Sequence, residues 1–331
     1  MLLPEYNIVC SDFHPLNSNN PQKSGVEIVT VTASQLNQRI DNFLIKQLPK
    51  VPRTRVYRMI RKGEVRVNKK RCKPDYKLQL GDQVRIPPIR IDSNETEELR
   101  IPLSLQSTLE AAILYENGHI LILDKPSGVA VHSGSGVKFG VIDVLRKLRP
   151  DCEIELVHRL DRDTSGCLML AKHRQSLLMM QSCLQQNHLG KKYITVVAGQ
   201  WPAQLVEINE ALNRYYLPNG ERRVQVDPAG KSACSRFRVL QTGRDFSIVQ
   251  VELLTGRTHQ IRVHCQHAGH EIAGDEKYGN SNFNKRMRKR KIKRLMLHAA
   301  SLELPLTEFT PEIVINAPLP AEFENLLSTP K

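Results

Sequence analysis

Apolar residues recur at helical spacing early in the chain. Leu36, Ile40, Phe43, Leu44 and Leu48 fall on one face of a 3.6-residue period. Ser34 stands where it can cap that helix, and Pro49 and Pro52 end it. A second short helix is predicted next. Val56, Met59 and Ile60 form its inner face and Arg53, Arg55, Arg58, Arg61 and Lys62 its outer one, with Gly63 as the stop. Val65 and Val67 then alternate as a strand, Asn68, Lys69 and Lys70 turn, and Val84 and Ile86 make a last strand after Gly81 and Asp82. The result, over 34–91, is a small module with a basic second helix. Residues 1–33 open on a polar stretch with Asn17-Ser18-Asn19-Asn20-Pro21 and read as a flexible tail. Residues 92–108 carry Asn94-Glu95-Thr96-Glu97-Glu98 and read as a linker.

From Leu109 the pattern changes. Ile120 and Ile122 lie in a strand that ends at Lys125-Pro126-Ser127-Gly128, and 167–171 is a second, short apolar strand. A helix is predicted over 174–186 and another over 258–268, with strands at 193–197, 237–240, 248–253, 295–299 and 313–315. Strands and helices do not alternate regularly, so a doubly wound parallel sheet does not fit. The pattern favours an α+β fold with a mixed sheet over 109–331.

Composition narrows the class. The 331 residues are 40% hydrophobic and 25% charged, ordinary values for a folded domain and unlike a disordered, collagen-like or disulfide-scaffold chain. No apolar run is long enough for a membrane span, and Met1-Leu2-Leu3-Pro4-Glu5-Tyr6 has neither the basic nor the apolar region of a signal peptide. Seven scattered cysteines without a Cys-x-x-Cys pair suit free thiols in the cytoplasm. The net charge of +14 is concentrated: 34–91 holds 16 Lys or Arg against four acids, and 283–294 holds eight bases and no acid. Local concentration of this kind suits a polyanion, whose counterions are released on binding. A solvated basic face is the plain alternative for the first cluster, and a mobile loop for the second.

Two polar clusters could carry chemistry. His158-Arg159-Leu160-Asp161-Arg162-Asp163-Thr164-Ser165-Gly166 lies between apolar segments, where loops display reactive groups. In Thr255-Gly256-Arg257-Thr258-His259-Gln260-Ile261-Arg262-Val263-His264, Thr258 could cap a helix that places Arg262 one turn further on. A fixed Arg beside an Asp keeps the carboxylate ionised without a metal. Turn chemistry with a buried ion pair would use the same residues. His264, His267 and His270 lack partners at diagnostic zinc spacing. Gly134-Ser135-Gly136-Val137-Lys138-Phe139-Gly140 is neither a dinucleotide fingerprint nor a Walker loop. Ser165-Gly166 lacks the preceding Gly of a nucleophile elbow.

With these clusters in view, the chain resembles the pseudouridine synthases that modify ribosomal RNA. The resemblance rests on 158–166 and on 255–264. It is supported by Leu123-Asp124-Lys125-Pro126-Ser127-Gly128, Lys191-Lys192-Tyr193, Gly274-Asp275, Tyr278-Gly279 and Leu297-His298-Ala299. The module at 34–91 resembles the alpha-L RNA-binding fold of one small-subunit ribosomal protein. Two features depart from the family pattern: Glu271 stands where Pro is common, and 283–294 is unusually basic. The resemblance implies a largely antiparallel mixed sheet and an isomerase that turns uridines of large-subunit (23S) ribosomal RNA, or its precursor, into pseudouridine. Asp161 matches the catalytic carboxylate, Arg262 its partner, and Tyr193 an aromatic stacked on the uracil. Arg159 matches an Arg that enters the RNA stack where the target base flips out. Arg53, Arg55, Arg58, Arg61, Lys62, Lys69 and Lys70 would grip RNA. No cofactor, metal or membrane is implied, and a monomer is expected. A non-catalytic RNA-binding factor and a hydrolase using Asp161 are the rival readings.

Overall fold

The computed structural model describes residues 25–48, 51–89, 101–134 and 137–328. The chain divides into two compact units after residue 97. The first contains β1 (Glu27–Thr30), α1 (Ile40–Gln47), α2 (Arg53–Lys62), β2 (Arg66–Val67) and β3 (Gln83–Ile86). β3 is the middle strand, antiparallel to both β1 and β2. Ile40, Phe43, Leu44, Val56, Met59, Ile60, Leu78 and Val84 close one apolar core under the sheet. The inner face predicted for α2 is therefore the buried one. Gly63 ends that helix at φ 73°, a left-handed turn suited to glycine. Asn68 and Lys69 both have positive φ (49° and 68°), as the tight turn between Val67 and Lys70 requires. Asp82 fastens that turn, accepting from Asn68 Nδ2 at 2.7 Å and from Tyr76 Oη at 3.0 Å.

Two expectations for this unit change. Glu27–Thr30, read as tail, is a paired strand; only every second residue of it is half-buried, too weak an alternation to stand out. Residues 1–24 of that tail lie outside the described residues. The first helix begins at Ile40, not near Leu36, because Ala33–Gln35 forms a separate 3-10 turn capped by Thr32 rather than Ser34.

The second unit holds α3 (Leu103–Ala111), β4 (Ile113–Glu116), β5 (Ile120–Lys125), α4 (Val141–Leu148), β6 (Glu155–Leu156), β7 (Ser165–Ala171) and α5 (Arg174–Gln185). It continues through β8 (Gly190–Ala198), β9 (Glu207–Asn209), β10 (Leu212–Tyr216), β11 (Arg222–Val226), β12 (Cys234–Thr242), β13 (Phe246–Leu253) and α6 (Gln260–His267). α7 (Ser281–Lys289), β14 (Leu297–Leu304), β15 (Ile313–Asn316) and α8 (Ala321–Leu327) complete it. Its main sheet runs β4-β5-β7-β14-β8-β13-β12-β9, with β6 on β7 and β15 on β14. All its described pairings are antiparallel except β7 with β14. The fold is α+β with a mixed, largely antiparallel sheet. α3 begins inside the stretch read as linker, and 90–100 lies outside the described residues.

The parallel junction positions the site. It spans only Ser165–His298 and Gly166–Ala299. β7 then parts from β14, which pairs with β15 instead. Gly166 has φ +105°, and a β-carbon there would lie 2.2 Å from Ala299 O, so no larger residue fits the junction. The loop 158–164 enters the sheet at this split. Leu121, Leu123, Leu168, Leu170, Tyr193, Val249 and Val251 pack on one side and Ile120, Ile122, Cys167 and Met169 on the other. β5 and β7, buried on both faces, accordingly read as continuous apolar runs.

Candidate active site

The loop before β7 is fixed by a buried lysine. Lys125, fully buried, ends β5. Its Nζ donates to Pro126 O and Val129 O at 2.8 Å and to Arg162 O at 2.9 Å. Burial pulls its pKa down to about 7, yet three carbonyls match the three N–H of an ammonium, and we hold it to be charged. Ser127 Oγ donates to Asp163 O at 2.7 Å, and Gly128 N to Arg162 O at 2.9 Å. This is why Lys125-Pro126-Ser127-Gly128 accompanies the loop: its side chains and backbone hold the carbonyls of 162 and 163.

Asp161, in that loop, is partly exposed at 21% of its side chain. Its Oδ2 receives Arg262 Nη1 at 3.2 Å. Arg262 comes from α6 and is only 8% exposed. Its stronger bond is to Asp275: Nε to Oδ2 at 2.7 Å and Nη2 to Oδ1 at 2.8 Å, a bidentate fork. Asp275 is 1% exposed and its Oδ1 also accepts the backbone N–H of Lys277 and Tyr278. Burial alone would raise the Asp275 pKa, but the guanidinium and these N–H groups outweigh it and hold the carboxyl below its ordinary value. Burial would likewise lower the Arg262 pKa; Asp275 and Asp161 reverse that and raise it. Arg262 is thus an immobile, permanent cation that Asp275 aims at Asp161.

α6 starts differently from its prediction. Its N-cap is His259, at φ 55°, not Thr258. The Gln260 side chain builds the turn: its Oε1 accepts from Thr255 Oγ1 at 2.8 Å and from Arg257 N at 2.9 Å. Thr258 Oγ1 instead accepts from Arg214 at 3.0 Å.

These groups open into a cleft of about 510 Å³ lined by Arg159, Asp161, Lys191, Tyr193, His259 and Arg262, among others. Tyr193, on β8, is 7% exposed, and burial, assisted by the Asp161 charge, raises its pKa, so it stays a neutral phenol. Lys191 is a buried cation on the same wall, its pKa drawn down by burial. The exposed Arg159 sits at the rim. Asp161, Tyr193, Arg262 and Arg159, singled out in the sequence, therefore share one cleft. An anchored carboxylate beside a flat phenol in a cleft of this size can act on a sugar while an aromatic base is held.

Asp275, Tyr278 and His259 belong to the same constellation and carry no role in the sequence reading. The signal for Asp275 is the Asp-x-x-Tyr spacing, in which the Asp side chain caps its own turn. His264 bonds Ser235 Oγ and Glu210 O, and His270 bonds Ala198 O, so these rings serve the fold. Among the described residues no three His, Cys, Asp or Glu side chains converge as a metal site.

The basic residues fall into two settings. Arg53, Arg58, Arg61 and Lys62 on α2, with Lys69 and Lys70 on the β2–β3 turn, are exposed and have no ion pair among the described residues; Arg55 is half-buried. The strip 283–294 is helical over its first part, 283–289, which belongs to α7. α7 is capped by Asn280, whose Oδ1 accepts from Asn282 N and Phe283 N at 3.0 and 3.1 Å. Phe283, Met287 and Ile292 bury one face in the main core, leaving Arg286, Arg288 and Lys289 outside. Arg288 lies 4.0 Å from Glu276.

Comparison with known proteins gives two domain matches. A profile described as "RNA pseudouridylate synthase" matches residues 119–267, and one described as "S4 domain" matches 38–84. A protein named ribosomal large subunit pseudouridine synthase C from Escherichia coli (strain K12) is 49% identical over 281 residues, 84% of this chain and 88% of that protein. The protein of that name from Buchnera aphidicola subsp. Schizaphis graminum is 45% identical over 308 residues, 92% of this chain and 98% of that one. Among solved structures, human RNA pseudouridylate synthase domain containing 4 superposes with a TM-score of 0.55 at 25% identity, covering 68% of this chain and 94% of that one.

Proposed function

Because this chain belongs to the RNA pseudouridylate synthase family and carries an S4 domain, we propose that it isomerises uridines of large-subunit (23S) ribosomal RNA or its precursor. The observation that carries the assignment of chemistry to residues is the Asp275–Arg262–Asp161 chain of ion pairs opening beside Tyr193 in one cleft. In the reaction, the bond from ribose C1′ to uracil N1 breaks, the base turns, and C1′ bonds to C5. The C5 proton leaves and N1 gains one, so nothing is oxidised or reduced.

Asp161 acts on the ribose. Attack on the sugar and abstraction of a ribose proton both need an ionised carboxylate with a free oxygen, and only Oδ2 is engaged by Arg262. Tyr193 stacks on the detached uracil and, as a neutral phenol, can pass the final proton. Arg159 at the rim fills the place of the flipped nucleotide. The exposed cations of α2 and the β2–β3 turn hold RNA phosphates and those of α7 add to them, so that the unit up to residue 97 supplies most of the affinity and the unit after it the chemistry. The substrate names of the similar proteins support large-subunit RNA. The enzyme acts as a monomer, where ribosomes are assembled in the cytoplasm. No helix among the described residues is long and apolar enough to cross a membrane.

Mapping pseudouridines in ribosomal RNA from cells lacking this protein tests the reading. Loss of specific large-subunit sites is expected, and an unchanged map would overturn it.

A further inference from the structure

Asp161 has a second neighbour that the Arg262 pair does not explain. His259 Nε2 stands 3.8 Å from Asp161 Oδ2, the oxygen that already receives Arg262 Nη1. That separation exceeds a hydrogen bond, although catalytic contacts commonly tighten once substrate is bound. The imidazole can serve the carboxylate only if Nε2 carries the proton. Which nitrogen carries it is settled on the other side of the ring.

There, His259 Nδ1 lies 2.8 Å from Tyr278 Oη. Tyr278 Oη already accepts the backbone N–H of Val224 at 3.0 Å. A phenol has one proton of its own. Val224 donates to the oxygen, and among the described residues Nδ1 is the one acceptor within reach of that proton, so the phenol donates to Nδ1. The neutral ring must then hold its own proton on Nε2, facing Asp161. Burial keeps both partners neutral, drawing His259 down to about 4 and pushing Tyr278 up to about 12.

The backbone is committed to this placement. His259 sits at φ 55°, in the left-handed region that a residue with a β-carbon avoids. The Gln260 bonds to Thr255 and Arg257 hold it there. Strain retained beside a cleft by surrounding bonds marks a position that serves the site.

We propose that His259 is a positioning residue for Asp161. Tyr278 sets its tautomer, and its Nε2–H donates to Oδ2 as bound RNA closes the cleft. Oδ2 is then held by Arg262 and His259 together, and Oδ1 is the oxygen presented to the ribose. The inference rests on Asp161 being the carboxylate that acts on the sugar.

The test is single-turnover isomerisation by the full chain at saturating enzyme, read as tritium released from C5 of labelled uracil in protein-free large-subunit ribosomal RNA. RNA affinity and thermal midpoint are measured alongside. His259→Asn tolerates positive φ, but its amide ends near the Nδ1 position and cannot reach Asp161. His259→Gln puts an amide N–H near the Nε2 position. The Asn variant should lose about 10- to 100-fold in rate, the worth of a hydrogen bond to a charged group, with affinity unchanged. The Gln variant should recover most of it. Tyr278→Phe keeps the ring that lies 5.0 Å from the Arg262 guanidinium; it should cost several-fold alone and nothing further on top of His259→Asn. A wild-type rate for His259→Asn, or equal losses in the Asn and Gln variants, would overturn the proposal. Should the Asn variant not fold, a wild-type rate for Tyr278→Phe would overturn it instead. Asp161→Asn in the same assay separates the two failures. If it is inactive while His259→Asn is fully active, only the role of His259 falls; if it is active, the role of Asp161 falls as well.

Discussion

The outer face of α2 and the wall of the cleft use arginine in opposite ways. On α2, Arg53, Arg58 and Arg61 stand in water with no ion pair among the described residues. At the cleft, Arg262 is 8% exposed and is shared by two carboxylates. A surface that grips a polyanion needs cations with no standing partner, because its binding energy comes from released counterions. A site that aims a carboxylate needs a cation that cannot move, and it bears the desolvation cost to obtain one. Changes at α2 should therefore alter affinity and its salt dependence, and changes at Arg262 should alter rate and folding.

Arg262→Met gives the largest effect. It strands the 1%-exposed Asp275 carboxylate, and leaving a buried charge unpaired costs about 3–5 kcal/mol. Arg262→Lys keeps the charge but loses the fork to Asp275, so a smaller loss of stability with a clear loss of rate is expected. Urea unfolding and single-turnover rates measure the two. If Arg262→Met folded as wild type and lost only salt-dependent affinity, Arg262 would be a phosphate ligand like those of α2.

Gly166→Ala comes next. Its β-carbon would meet Ala299 O at 2.2 Å from a φ of +105°, so we expect a loss of about 3 kcal/mol from strain and displacement of the strands. The midpoint of unfolding reads it, and an unchanged midpoint would mean that the β7–β14 junction yields to an added methyl group.

Stability should also depend on pH. Burial holds His298 and His259 down to about 4, whereas in the unfolded chain both take up protons near pH 6.5. Between those values the unfolded chain binds more protons, so stability is complete above pH 6.5 and falls as the pH drops toward 4. Urea midpoints across that window should fall; a flat profile would show that these rings are not buried neutral.

Neutralising α2 is the mildest change. Replacing Arg53, Arg58, Arg61 and Lys62 by Gln should leave the rate at saturating enzyme intact. The slope of log affinity against log salt should flatten by roughly 0.7–0.9 for each phosphate that is no longer neutralised. An unaltered slope would remove α2 from the RNA interface.

The same contrast explains what could be read from the sequence. Exposed cations around a regular apolar face leave a plain signature, and Val56, Met59 and Ile60 disclose α2 although its other positions are mostly charged. Asp161 and Arg262 are legible because each lies in a dense polar motif, and Tyr193 is legible only through the family resemblance. Asp275 is not, since its importance comes from Arg262, 13 residues earlier, and only folding brings the two together. His259 is hidden for a related reason: a left-handed residue before a helix reads as ordinary helix sequence when Thr258 offers a plausible cap. In α7, eight bases across 283–294 mask the i, i+4 pair Phe283 and Met287 that buries it. The β10–β11 hairpin buries only Leu212 and Val224 along its two strands, so no apolar alternation announces it.

Asp161→Asn tests the division between grip and chemistry most directly. Asn keeps the shape of the side chain while removing its charge and nearly all its capacity to attack or take a proton. Single-turnover isomerisation and RNA affinity should be measured on the same folded preparation. We expect isomerisation to be abolished with affinity and its salt slope as in wild type, and turnover near the wild-type rate would contradict the placement of the chemistry at Asp161.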